Sequence, residues 1–99
     1  MSKRFYNLVN SARPVLVDFY ADWCMPCRLM SPVLKEIKSQ FRQNVRIVKV
    51  NVDHFPDIAN DCKVHNIPTV VLFQEGEIHW SGKGVQHVND ISVALREIL

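Results

Sequence analysis

The sequence predicts a small α/β sandwich with a mixed central sheet. Three observations predict it. Segments of helical and strand periodicity alternate along the chain in the order αβαβαββα. A helical crossover joins the first two strands, as parallel neighbours require. Glu75-Gly76 then reads as a hairpin turn that closes the sheet with two further strands.

Each element has its own signal. Phe5, Leu8 and Val9 recur at helical spacing, so Lys3 to Ser11 reads as a short amphipathic helix. Arg13-Pro14 breaks it. Val15 to Tyr20 is apolar on both alternating faces apart from Asp18, as in a buried parallel strand. Cys24 to Arg42 reads as one long helix, with Pro26 in its first turn. Leu29, Met30, Val33, Leu34, Ile37 and Phe41 form its apolar stripe, and Pro32 should kink it. Val45 to Val52 is the second strand, and Asp57 to Cys62 is a short helix after Pro56. Thr69 to Gln74 and Ile78 to Ser81 are the hairpin strands. Asn89 or Asp90 caps a last helix carrying Ile91, Val93, Ala94, Leu95 and Ile98.

Ninety-nine residues argue for a single domain over 1–99. A chain of this size buries roughly 65% of the surface its unfolded form exposes, enough for a core without disulfide staples. The net charge is +2 with scattered basic residues, which counts against a nucleic-acid footprint. No apolar run approaches the ~20 residues of a membrane-spanning helix. No signal-peptide core follows the basic start Met1-Ser2-Lys3-Arg4. The expectation is a cytoplasmic monomer without nucleic-acid or membrane partners.

Three cysteines are too few for a secreted disulfide scaffold. Cys24 and Cys27 stand three positions apart in Trp23-Cys24-Met25-Pro26-Cys27, directly after a strand. Such a pair closes a disulfide across the first turn of a helix. Unpaired N–H groups at a helix N-terminus favour a thiolate there. The chemistry is thiol–disulfide exchange, against half of a metal site. A zinc site needs two more ligands, and no other His or Cys pair has finger-like spacing.

Further landmarks follow in order, and together they resemble the thioredoxin family over nearly the whole chain. Val15-Leu16-Val17-Asp18-Phe19-Tyr20-Ala21 is similar to that family's central strand. Pro32 falls at its kinking proline, and Asn66-Ile67-Pro68-Thr69 resembles the segment of its cis-proline. Glu75-Gly76-Glu77 looks like its hairpin, and Gly84 matches a glycine beside its active site. Met25 departs from the usual glycine. The family's N-terminal edge strand is missing, so the implied fold is a three-layer sandwich around a four-stranded mixed sheet. Val45 to Val52 then becomes an edge, guarded by Arg46 and Lys49.

The resemblance implies roles. Cys24 is the nucleophile, and Cys27, one turn deeper, resolves the mixed disulfide. Asp18 is the buried acid behind Cys27 that exchanges protons, with an elevated pKa. Its plain alternative is a strand-end carboxylate satisfied by a nearby N–H or lysine. Lys49 sits on the adjacent strand, either beside this acid or as a solvated edge lysine. Pro68 is expected cis, leaving the Ile67 backbone free to pair with substrate. Trp23 and Met25 are exposed apolar contacts, and Met25 alters substrate preference and redox poise. Pro26 supports helix initiation and redox tuning.

Cys62 reads as a helix-end core thiol, with a regulatory or dimer-forming thiol as its rival. His54, His65, His79 and His87 read as surface residues, and Trp80 as packing. The implied function is reduction of protein disulfides. No cofactor is needed, because the two cysteines carry the electrons. A thioredoxin reductase-type flavoenzyme is the implied electron donor. The rivals are a disulfide oxidase or isomerase and a non-catalytic binding module.

Overall fold

In the computed structural model, which describes residues 2–99, helix α1 (Lys3–Val9) starts where the Ser2 side chain accepts the Phe5 N–H at 3.2 Å. It ends two residues before the predicted Ser11. The Val9 and Ser11 carbonyls instead accept the Gly76 and Glu75 N–H groups at 3.1 and 2.8 Å. The start of the chain is thereby tied to the hairpin turn. Glu75 and Gly76 both adopt positive φ, 52° and 81°, the backbone a tight two-residue turn requires.

Strand β1 (Val15–Tyr20) is buried on both faces and agrees with its predicted bounds. After the site loop come α2 (Met25–Arg28), α3 (Met30–Phe41), a 3-10 turn (Arg42–Asn44) and β2 (Arg46–Asn51). Helix α4 (Pro56–Asp61), β3 (Thr69–Gln74), β4 (Glu77–Lys83) and α5 (Val88–Ile98) complete the order. The hairpin strand β4 extends past the predicted Ser81 because its ladder with β3 runs to Thr69↔Lys83. The described strands form one mixed sheet in the order β2-β1-β3-β4. β1 lies parallel to β2 and antiparallel to β3, so β2 is an edge as expected.

Alternation along β1 sorts the two cores. Val15, Val17 and Phe19 face α1 and α4, meeting Phe5, Val9, Ile58, Ala59 and Cys62. Leu16 faces the other way, where Met30, Leu34 and Ile37 of α3 and Ile91 and Leu95 of α5 cover the sheet. Helices on both faces give the three-layer sandwich. Cys62, at the end of α4, is a buried free thiol as expected, and Trp80 packs against the second core.

Three expectations need correction. The predicted helix from Cys24 to Arg42 is two helices, broken at Leu29. Pro32 explains the place of the break. Its ring lacks an N–H for the Arg28 carbonyl and crowds that carbonyl four residues upstream. Leu29 accordingly bonds back to Pro26 in a tighter turn at 3.1 Å and swings out of the apolar stripe to 61% exposure. Asn89 and Asp90 do not cap α5. His87 holds the cap position without a side-chain bond, and Asp90 lies in the first turn, where its charge suits the helix dipole. Val93 is exposed rather than core, because α5 buries Ile91, Ala94 and Leu95 instead. None of the described helices is long and apolar enough to cross a membrane.

Phe5 anchors α1 to the sheet. Its ring meets Phe73 edge-to-face at 5.8 Å between centroids. Phe5→Ala should lower the unfolding free energy by about 3–5 kcal/mol, the usual cost of emptying a buried aromatic site. Urea denaturation with an unchanged slope is the measurement.

Candidate active site

The site forms where β1 ends. Ala21, Asp22 and Trp23 turn the chain, with the Cys24 N–H donating to the Ala21 carbonyl at 3.2 Å. Cys24 is the N-cap residue of α2, followed by Met25 and Pro26 in the first turn. Proline is tolerated there because its missing N–H has no helical partner to lose. One helical turn brings Cys24 and Cys27 to a Cα separation of 5.3 Å, and they form a disulfide. The Cys27 N–H also donates to the Cys24 sulfur at 3.3 Å.

The disulfide is buried against Ala21, Tyr20, Val52 and Ile67. An exposed apolar rim surrounds it. Trp23 is 69% exposed and Met25 66%. Leu29, four residues after Met25, is exposed on the same helical spacing and extends that rim, although the apolar stripe predicts it in the core. Only the Pro32 break turns it outward.

Polar bonds set the rim. The Trp23 indole N–H donates to the Asp53 carboxylate at 2.9 Å, and the Asn51 side-chain carbonyl accepts the Asp53 N–H at 2.9 Å. Sequence reasoning missed Asp53 and Asn51. No local pattern could have found a pairing across thirty positions.

Asp18 is the unusual buried group. It is 1% exposed, and its Oδ1 has no hydrogen-bond partner among the described residues. Burial pushes its pKa from 3.8 up to about 6, against a lowering pull from Lys49. Lys49 is its direct neighbour across the parallel ladder, with its ammonium 5.0 Å from the Tyr20 ring centroid. Alternation turns Asp18 toward the α2/α3 side of the sheet. A groove of about 270 Å³ on that side is lined by Tyr20, Asp22, Cys27, Arg28, Ser31 and Lys49. Lys49, the ladder neighbour of Asp18, thus shares this groove with Cys27, and Asp18 itself lies buried behind it.

The loop before β3 closes the far side. The Ile67–Pro68 peptide is cis, as expected. The Thr69 hydroxyl donates to the Asn66 carbonyl at 2.6 Å and ties the loop together. Ile67 packs on the cysteine cluster, and no described residue pairs with its backbone. The Gly84 N–H donates to the Pro68 carbonyl at 2.8 Å. A side chain at Gly84 meets nothing within 4 Å, so its φ of +81° is what calls for glycine.

Other candidates stand apart. Cys62 is held protonated, its pKa pushed up to about 11 by burial and by neighbouring Asp61. The four histidines are exposed. Among the described residues no three metal-ligating side chains gather.

Comparison with known proteins places this geometry. A sequence model of the thioredoxin family matches residues 1–97. A thioredoxin-like protein of Synechocystis is 42% identical over 90 residues, covering 87% of this chain and 86% of that protein. A bifunctional thioredoxin reductase/thioredoxin of Mycobacterium leprae is 45% identical over 73 residues, covering 74% of this chain and 16% of its own length. The oxidised mitochondrial thioredoxin 3 of Saccharomyces cerevisiae superposes with a TM-score of 0.85 at 34% identity, covering 95% of this chain and 87% of that one.

The raised pKa of Asp18 has a defined consequence. Ionisation is disfavoured in the fold, so this contribution to stability is full below the ordinary value of 3.8 and is lost as pH rises through about 6. A shift of about two units corresponds to roughly 3 kcal/mol at most. Asp18→Asn should therefore raise the unfolding free energy at pH 8 by about 2–3 kcal/mol and leave it nearly unchanged at pH 4. Paired urea titrations at the two pH values provide the check.

Proposed function

Because this chain belongs to the thioredoxin family of thiol–disulfide oxidoreductases, we propose that it reduces disulfide bonds in proteins, with Cys24 as nucleophile and Cys27 as resolving thiol. The hydrogen bond from the Cys27 N–H to the Cys24 sulfur carries this assignment. A donor at the start of α2 stabilises negative charge on that sulfur in the reduced form, and so favours the attacking thiolate.

The reaction balances over the two cysteines. The Cys24 thiolate attacks one sulfur of the substrate disulfide and forms a mixed disulfide, expelling the first substrate thiolate. Cys27 loses its proton and attacks the Cys24 sulfur. The second substrate thiolate leaves, and the Cys24–Cys27 disulfide forms. Two electrons pass from the dithiol to the substrate. Asp18 accepts the Cys27 proton through the groove beside Lys49. A carboxyl group with a pKa near 6 is suited to this near neutral pH.

Protein substrates dock on the apolar rim. Trp23 and Met25 supply contact area, Ile67 offers a free backbone for an extended segment, and buried Pro68, held by the N–H of half-buried Gly84, shapes that segment's seat. Pro26 sets the start of α2 between the cysteines. The chain works as a monomer in the cytoplasm. A flavoenzyme of the thioredoxin reductase type returns it to the dithiol, a pairing supported by the Mycobacterium leprae relative whose name joins both activities.

Insulin reduction by dithiothreitol tests the reading. The wild type should accelerate it, and Cys24→Ser should fall to the uncatalysed background. Absence of acceleration by the wild type would sink the proposal. Cys27→Ser should accumulate a mixed disulfide on Cys24, visible by mass spectrometry on non-reduced samples. Trp23→Ala should lower kcat/KM for insulin by about tenfold, the loss expected for one exposed aromatic anchor.

A further inference from the structure

The edge strand β2 leaves backbone groups open. Its Arg46 N–H donates to the Pro14 carbonyl and the Val52 N–H to the Tyr20 carbonyl, so alternate residues from Arg46 onward face β1. Ile47 and Lys49 therefore point their N–H and C=O groups away from the sheet. No described residue pairs with them. The Asn51 carbonyl differs, because it accepts the His54 and Phe55 N–H groups at 3.2 and 2.9 Å. The open stretch is thus bounded at one end by the turn after β2.

A groove of about 440 Å³ lies beside this edge, on the face covered by α1 and α4. Leu8, Val48 and Phe55 give it an apolar lining, and Phe55 is more than half exposed. Charge is one-sided. Arg4 lines the groove against a single acid, Asp57, and Arg46 lines the adjoining hollow together with Arg4, while Lys49 borders the groove from the edge strand with its side chain turned by alternation to the opposite face.

We propose that β2 accepts an extended acidic–apolar segment of a partner protein as a fifth strand of the sheet. Backbone groups of that segment pair with Ile47 and Lys49. Its apolar side chains, on alternate positions, enter the groove against Val48 and Phe55. Acidic side chains meet Arg46 and Arg4 on that face and Lys49 on the other. A second copy of this chain is disfavoured as the occupant. Symmetric antiparallel pairing through Ile47 and Lys49 sets the two lysines on diagonal positions roughly 7–8 Å apart, with both Arg46 side chains on the same seam. A partner held here needs no disulfide, so the surface adds a binding function to the redox one.

The test titrates the full chain with a short blocked peptide that carries valine and glutamate together on one alternating face and glutamate on the other, and with its counterpart in which lysine replaces each glutamate. The glutamate peptide should bind and slow amide hydrogen exchange at Ile47 and Lys49. The lysine peptide should bind at least about tenfold more weakly, the combined effect of two or three exposed charge pairs. The double variant Arg4→Glu with Arg46→Glu should weaken the glutamate peptide by a similar factor. Equal affinity for the two peptides, or unchanged exchange at both amides, overturns the proposal. So does a dimer of the free chain that protects those same amides. Should the double variant fail to fold, the two peptides and the exchange measurement decide the matter on the unmodified chain.

Discussion

Burial of β1 on both faces is the constraint on which the rest of this structure depends. Val15, Leu16, Val17 and Phe19 are fully shielded, and both flanking strands hydrogen-bond to this one. Apolar side chains on both faces of a strand require a layer on each side. The chain meets that demand with α1 and α4 on one face and α3 and α5 on the other. Because β1 is so firmly held, its end is a fixed platform. Cys24 follows that end after three residues, and its position is inherited from the core.

The same burial creates a conflict at Asp18. A carboxylate in the middle of this strand lowers stability whenever it is ionised, by roughly 3 kcal/mol at most. The net stability of small proteins is only about 5–15 kcal/mol, so this is a substantial fraction. An apolar residue at position 18 would suit the fold better. The unpaired Oδ1 and the raised pKa mark a group whose place in the strand is not explained by packing, and they fit the proton-accepting role proposed above. Lys49 moderates the conflict from the next strand without removing it.

Around the cysteines, precision comes from long-range polar ties. Asp53 holds the Trp23 indole, Asn51 holds the Asp53 backbone, and the Gly84 N–H holds the Pro68 carbonyl. Each joins segments brought together by the sheet. The rim is therefore apolar in surface but fixed by hydrogen bonds beneath it. That combination suits docking of varied protein segments against one well-placed sulfur. The sheet edge at β2 is organised differently. There the backbone itself is open, and cations flank it beside an apolar groove.

Much of this protein is legible in its sequence, wherever the signal is local. The runs at Val15–Tyr20 and Thr69–Gln74 coincide with observed strands, because apolar β-rich segments between breakers have few alternatives. Cys24 and Cys27 pair and Trp23 and Met25 are exposed as read, because a helix starting after a strand fixes their relative geometry. Tertiary structure decided what depends on distant partners. Leu29 belongs to the rim and Val93 to the surface, because helix periodicity names a face but not its orientation or where a proline breaks it. Asp53 became the partner of Trp23 only when the loop after β2 met the loop after β1. The sequence by itself determined the elements and the chemistry of the cysteine pair. Only the packed sheet decided which distant groups meet around that pair, since a bond such as Trp23 to Asp53 depends on where two separate loops are brought together.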